Sequence, residues 1–433
     1  MDIKKLYAIF KQHQLVTTDS RDCQEGAIFF ALKGENFNGN QYAKTAIDNG
    51  CAYAVVDEPE FANQDERIIF VDDSLKALQM LAREHRRELK TPIVAVTGTN
   101  GKTTTKELIA AVLAKKFNIL YTKGNFNNHI GVPKTLLQLK LEHEIAVVEM
   151  GANHPGEIKT LVDIAEPNYG IITNVGKAHL LGFGSFEGVI RTKGELYDFI
   201  RNNGGKVFIN AANQYLMGIS DGLELVKYAA LDRGIGNQEE LIVSGHLIDC
   251  NPYLHFTWNQ HEVKTNLIGA YNIDNALAAA TIGSFFGVDE NSISSALHEY
   301  MPSNNRSQLM KTEDNTVIVD AYNANPTSMT AALNNFNMMK ADSKMCILGQ
   351  MGELGDASRQ EHQAIIDILD NMHIKLVWLV GKEFKATDHP DKFKVFDDVE
   401  QVKHILATQK PVGMTILVKG SNSTRMFELP QLL

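Results

Sequence analysis

The chain alternates short, near-continuous apolar runs with segments whose apolar residues recur at helical spacing. From Ile93 the order is strand then helix: IVAVT, KTTTKELIAAVLAKKF, EIAVVEM, EIKTLVDIAE and YGIITNV. Apolar runs without polar alternation belong to strands buried on both faces, the condition of a parallel sheet covered by helices. Before Ile93, AIFFAL, CAYAVV and RIIFV predict strands, YAKTAIDNG a helix between two of them, and SLKALQMLAREHRREL a closing helix. MDIKKLYAIFKQHQ reads as a short amphipathic helix. Residues 242–268 are strand-rich, and NIDNALAAATIGSFFG predicts a helix after them. Further on, NTVIVDAY, KMCILGQ, KLVWLVG and MTILVKG predict four more buried strands with helices between them.

Proline breaks the pattern at Thr91-Pro92 and again at Met301-Pro302. The pattern therefore predicts domains over 1–88, 89–301 and 302–433, all of α/β or α+β type. The length of 433 residues agrees with about three domains at roughly 150 residues each.

Composition narrows the classes of function. No apolar run comes near the ~18 residues of a membrane span. The N-terminal stretch lacks the apolar region and small-residue cleavage site of a signal peptide. Cys23, Cys51, Cys250 and Cys346 are scattered without a C-x-x-C pair, so free thiols in a reducing cytoplasm are expected. The net charge of −10 and the lack of a long basic run argue against nucleic acid or an anionic membrane as partner. They leave an anionic small molecule open, because a site can be positive in an acidic protein.

One junction between strand and helix carries chemistry. IVAVT is followed by Gly98-Thr99-Asn100-Gly101-Lys102 and then by TTTKELIAAVL. Glycines let a backbone approach phosphate with its N–H groups turned inward, and the following helix N-terminus adds partial positive charge. Lys102 supplies a full charge for the outer phosphates, and the Thr103 hydroxyl suits magnesium. The spacing is shorter than in G-x-x-x-x-G-K-[ST], because Gly98 and Gly101 enclose only Thr99 and Asn100. Glu149 ends the apolar strand IAVVEM, so its carboxylate emerges at the carboxyl edge of the sheet, where open α/β sheets bind ligands. An oxygen ligand there also suits magnesium.

The shortened loop, Gly98 to Thr105, resembles that of the ATP-dependent Mur ligases, which add amino acids to the peptidoglycan precursor. Folylpolyglutamate and cyanophycin synthetases are related. NFNNHIGVPKTLL, EMGANHPGEI, TNVGKAHL, DAYNANPTS and LGQMGELG follow in the order of that family, and the likeness spans nearly the whole chain. It implies a central P-loop ATPase domain with a mainly parallel sheet and a Rossmann-like C-terminal domain. It also implies ATP and magnesium as cofactors, with UDP-N-acetylmuramoyl-tripeptide and D-alanyl-D-alanine as substrates. A cytoplasmic monomer is expected.

Roles carry over residue by residue. The resemblance gives Gly98, Thr99, Asn100, Gly101, Lys102, Thr103 and Thr104 to the nucleotide, with Asn272 and Asn275 near its adenine or ribose. Arg306 and Asp320 would reach ATP from the third domain. Thr103, Glu149, His179 and Lys193 would surround magnesium, Lys193 as a carbamate. Lys102, His179 and Lys193 would be catalytic. Ser20, Arg21 and Lys33 would contact the UDP-substrate, Asn128 would contact substrate, and Asn323 and Asn325 would hold the dipeptide. Gln350 stands where Asp is common in the family, Tyr271 where His is frequent, Leu181 where Glu is common, and FNGNQYA replaces an Asp-Gly-His version. Two alternatives remain open: a ligase of the same superfamily with a different amine, and a module that uses ATP as a switch.

Overall fold

The computed structural model describes residues 2–233, 240–302 and 306–433. Its N-terminal sheet has the order Val16–Thr17, Ile28–Phe30, Tyr53–Val56, Ile68–Phe70, with every neighbouring pair parallel. The amphipathic helix Ile3–Gln12 buries Leu6, Tyr7 and Phe10. They join an apolar cluster with Leu78 and Leu81 of helix Ser74–Leu89, and the same cluster runs on into Leu136, Leu139, Leu161 and Val162. Burial of each such side chain is worth roughly 1.5–3 kcal/mol, so the first two parts of the chain are welded by one core. Arg86 adds a polar rivet. Its guanidinium donates to the carbonyls of Ala165 at 2.9 Å and Glu166 at 2.7 Å, carbonyls that the end of helix Glu157–Ala165 leaves without intrahelical partners.

Among the described residues the central sheet has nine strands. Strands Ile119–Tyr121, Ile145–Glu149, Ile93–Thr97, Tyr169–Ile172, Lys206–Asn210, Glu224–Ala230 and Leu241–Cys250 follow one another in parallel. Tyr253–Trp258 and His261–Ile268 then close the edge as an antiparallel meander. Strand Ile93–Thr97 lies between Ile145–Glu149 and Tyr169–Ile172, with Val96 opposite Glu149 and Thr97 opposite Ile172. The chain order reverses here, so a crevice opens beyond the strands' carboxyl ends.

The C-terminal sheet has the order Gln308–Lys311, Thr316–Asp320, Thr415–Lys419, Lys344–Gly349, Leu376–Val380, Phe393–Phe396. Only its first pair is antiparallel. Two apolar clusters cover its faces, one around Leu333, Phe336 and Ile366, the other around Val402, Met426 and Leu429. The architecture is the α/β arrangement that the alternation predicts.

Candidate active site

The loop after Ile93–Thr97 takes its shape from glycine. Gly98 has φ +144°, and a Cβ there would stand 2.0 Å from Thr173 Oγ1. Gly101 has φ +77°, and a Cβ there would stand 2.7 Å from Asn275 Oδ1. Only glycine meets both demands. Neighbouring strand ends hold the loop. Thr99 N–H donates to the Asn174 carbonyl at 2.9 Å and Asn100 N–H to Asn174 Oδ1 at 3.0 Å. Helix Lys102–Leu113 starts directly after it. The Lys102 ammonium folds back onto the carbonyls of Gly98 at 2.8 Å and Thr99 at 3.0 Å. Burial pushes its pKa down to about 8; Glu149 opposes the shift and Arg306 reinforces it.

Glu149 is buried at the end of its strand. Its Oε1 accepts from Asn127 Nδ2 at 2.8 Å and from Thr103 Oγ1 at 3.2 Å. Its Oε2 is buried with no hydrogen-bond partner. Lys106, fully buried behind it, lies 3.8 Å from that oxygen and donates to the Thr122 carbonyl at 2.8 Å. An orphaned carboxylate oxygen beside a hydroxyl fits a hard divalent cation. No cluster of three or more His, Cys, Asp or Glu occurs among the described residues. An ion here would draw its remaining ligands from phosphate and water, the usual habit of magnesium.

Lys193, on helix Phe186–Asn203, is 2 % exposed. Its ammonium has one long contact, 3.4 Å to the Ala152 carbonyl, and lies 5.4 Å from the centre of the Phe183 ring. Burial, with Lys102 adding repulsion, brings its pKa down to about 7. A neutral amine is therefore accessible near neutral pH. His179 has a left-handed backbone, φ 50°, and its Nδ1 meets the Glu353 carboxylate. Burial lowers its pKa, Glu353 opposes this, and Lys102 reinforces it.

Lys102, Glu149 and His179 face a cleft of about 880 Å³ that reaches from Leu75 and Gln79 through the loop to Asp320 and Lys419. Thr99, Asn100, Gly101, Lys102, Thr103, Thr104, Asn128, Glu149, His179, Asn272, Asn275, Arg306, Asp320 and Asn323 line it. Asn275 braces the loop by accepting from Thr105 Oγ1 at 3.0 Å and donating to Asn272 Oδ1 at 2.7 Å. The Arg306 guanidinium lies 3.7 Å over the Tyr322 ring, and its Nε is buried without a partner. Lys419 Nζ donates to Asp320 Oδ2 at 2.6 Å.

Other expected residues lie apart from the cleft wall. Arg21 is exposed and forks onto Asp19 at 2.9 and 2.7 Å. Ser20 lies beside it, and Lys33 pairs with Asp57 at 2.9 Å and Glu58 at 3.0 Å. Gly98 and Lys193 stand behind the lining. Asn325 does not line the cleft either; it caps helix Pro326–Met338 and meets Asn100. Among the positions that depart from the family pattern, Gln350 Oε1 accepts from Glu383 N–H at 3.2 Å. Tyr271 bonds Ser307 at 2.8 Å, and Leu181 is exposed.

Sequence reading assigned no role to Asn127, Asn174, Lys106, Glu353 or Lys419, although Lys419-Gly420-Ser421 marks the far end of the family likeness. Asn127, Asn174 and Glu353 lie inside stretches already singled out, NFNNHIG, TNVG and GELG, where the neighbours drew attention. Lys419 ends a buried strand as Glu149 does, and that position was its signal. Lys106 on a helix carries no signal, because a helix lysine is ordinarily solvated.

A parallel sheet with a shortened phosphate loop at its switch point, closed over by a second α/β domain, defines an ATP-dependent ligase. The Mur ligase middle domain matches residues 96–283, the Mur ligase glutamate ligase domain 305–422, and the Mur ligase family catalytic domain 13–86. The chain belongs to the Mur ligase family. The UDP-N-acetylmuramoyl-tripeptide–D-alanyl-D-alanine ligase of Bacillus subtilis is 34% identical over 96% of this chain and 92% of its own. That of Escherichia coli is 34% identical over 96% and 93%. The crystal structure of MurF from Acinetobacter baumannii superposes with a TM-score of 0.86 at 31% identity, covering 96% of this chain and 93% of that one.

Proposed function

We propose that the protein joins D-alanyl-D-alanine to the carboxylate of UDP-N-acetylmuramoyl-tripeptide, with ATP and magnesium, in the cytoplasmic synthesis of peptidoglycan precursor. The observation that carries this reading is the end-to-end likeness to relatives named for that reaction, at 34% identity over 96% of the chain. In this reading residues 1–88 bind the UDP-substrate, 89–301 bind ATP, and 302–433 bind the dipeptide and close on ATP. The enzyme works as a monomer. Among the described residues no helix is long and apolar enough to cross a membrane.

A carboxylate resists an amine until one oxygen becomes a leaving group. Phosphoryl transfer from ATP makes the acyl phosphate, the amine attacks, and phosphate departs. Such transfer depends on positioning and charge neutralisation. Lys102 leaves the carbonyls of Gly98 and Thr99 to meet phosphate. Arg306 and the Asp320–Lys419 pair approach from the third domain. Glu149, with Thr103 beside it, would hold magnesium, which neutralises phosphate charge when bound. Lys193, part of it neutral near pH 7, would add carbon dioxide: its nitrogen bonds the carbon, a proton leaves to solvent, and the cation site becomes a carbamate anion, with His179 near it. Asn272 and Asn275 would contact base or ribose, and Asn128 would contact substrate. Asn323, and Asn325 behind it, belong to the dipeptide side. Ser20, Arg21 and Lys33 would grip the UDP end, Arg by its bidentate fork.

The test is product analysis with UDP-N-acetylmuramoyl-tripeptide and ATP. D-Ala-D-Ala should give one amide per phosphate released, and single amino acids none. Amide formation with a single amino acid instead would assign the chain to another ligase. Phosphate release without any amide would make it a switch.

A further inference from the structure

We propose that Asn325 is a positioning residue that acts through Asn100, fixing the third domain's cleft loop against the phosphate loop. Asn100 stands in the middle of the phosphate loop with its backbone fully engaged. Its N–H donates to Asn174 Oδ1, and its carbonyl accepts from Thr173 Oγ1 at 2.6 Å and Asn174 Nδ2 at 3.0 Å. Its side chain is the part that leaves the loop. Asn325 Nδ2 donates to Asn100 Oδ1 at 2.8 Å, and Asn100 Nδ2 returns to Asn325 Oδ1 at 3.4 Å.

The same Asn325 side chain starts a helix. Its Oδ1 accepts from Ser328 N–H at 2.9 Å, and Ser328 Oγ accepts from Asn325 N–H at 3.2 Å, a capping box on Pro326–Met338. A second contact lies beside it. Lys177 N–H donates to Thr327 Oγ1 at 3.2 Å, and a Cβ on Gly176 would stand 2.8 Å from that hydroxyl. One buried amide thus ends the cleft loop, begins the helix and touches the nucleotide loop. Asn323, two residues before it, faces the cleft. A shift of Asn100 on nucleotide binding would move the 320–325 segment with it.

The inference rests on the ligase reading for its kinetic arm only. Asn325→Ser keeps a good N-cap but is too short to reach Asn100. Asn325→Asp keeps the cap and can accept from Asn100 once that amide turns its Nδ2 across. For Asn325→Ser, kcat/KM for D-Ala-D-Ala should fall about tenfold, the scale of one buried hydrogen bond, through a raised KM. The KM for ATP should hold. Asn325→Asp should recover part of the loss. The double variant Asn100→Ala with Asn325→Ser should be no worse than the worse single change. Wild-type kinetics in Asn325→Ser, or losses that multiply in the double variant, would overturn the proposal.

If the unaltered protein makes no D-Ala-D-Ala amide, the ligase reading fails, and a distance measurement judges the pair independently. Labels on helices Lys102–Leu113 and Pro326–Met338 should report a longer or broader distance in Asn325→Ser than in the unaltered protein, without nucleotide. Equal distances in the two proteins overturn the pair's role.

Discussion

Lys193 shows how burial changes the chemistry a residue can do. The sequence RTKGEL reads as a solvated helix lysine, and only the family resemblance singled it out; its burial beneath Phe183 was not legible. Burial brings its pKa in the fold to about 7, against the ordinary 10.5 of a lysine. Between those values the unfolded chain holds the proton and the folded chain does not, so rising pH favours folding. Below pH 7 the full penalty applies. Lys193→Met, which keeps the volume without the charge, should therefore melt higher than the unaltered protein at pH 6 in bicarbonate-free buffer. The gain should shrink as pH rises toward 10. A gain independent of pH would mean that the amine is not buried as a charge. Lys193→Arg keeps a cation that cannot be carbamylated, so it should lose ligation, whereas turnover of the unaltered enzyme should follow bicarbonate. An active, bicarbonate-independent Lys193→Arg enzyme would remove the carbamate.

At the scale of elements, the long apolar runs were legible. IVAVT appears unchanged as strand Ile93–Thr97, and SLKALQMLAREHRREL as helix Ser74–Leu89. Strand Lys206–Asn210 carries the same buried run and went unnamed; other unforeseen elements lack that signal. Strand Ile119–Tyr121 is three residues long and follows a helical run, and Gln308–Lys311 is a polar-ended edge strand. Strand Glu224–Ala230 mixes exposed and buried positions in ELVKYAA. The loop was legible as glycine chemistry, but the partner that forbids a side chain was not. Thr173, which would clash with a Cβ on Gly98, also donates to the Asn100 carbonyl, so it cannot step aside without breaking the loop. Gly98→Ala should weaken nucleotide binding at least ~10-fold and destabilise by roughly 1–3 kcal/mol. Gly352→Ala, where a Cβ meets open space, should leave both nearly unchanged. Calorimetric titration with ADP and thermal melts check this, and equal behaviour of the two variants would count against a loop shaped by Gly98.

Across the whole molecule the two interdomain seams differ in kind. The first and central domains share one apolar core and the Arg86 rivet. The central and third domains meet largely through polar contacts: Asn100 with Asn325, Lys177 with Glu361 at 2.5 Å, Tyr271 with Ser307 at 2.8 Å, and Ala270 N–H with Asn335 Oδ1 at 3.2 Å. Apolar support there comes from Ile268 and Leu180. Polar seams of this kind open at low free-energy cost, and ligand closure is a common route to excluding water. Small-angle scattering should show the third domain drawing in when an ATP analogue and the UDP-substrate are added together, with the first two domains moving as one body. Identical profiles with and without ligands would contradict a hinge at this seam.

In the proposed reaction the cleft activates a carboxylate by phosphorylating it. The direct measurement is isotope transfer. UDP-N-acetylmuramoyl-tripeptide carrying oxygen-18 in its terminal carboxylate, turned over with ATP and D-Ala-D-Ala, should release phosphate bearing one heavy oxygen per amide formed. The other should stay in the amide carbonyl. Release of unlabelled phosphate while amide accumulates would contradict acyl-phosphate chemistry at this site.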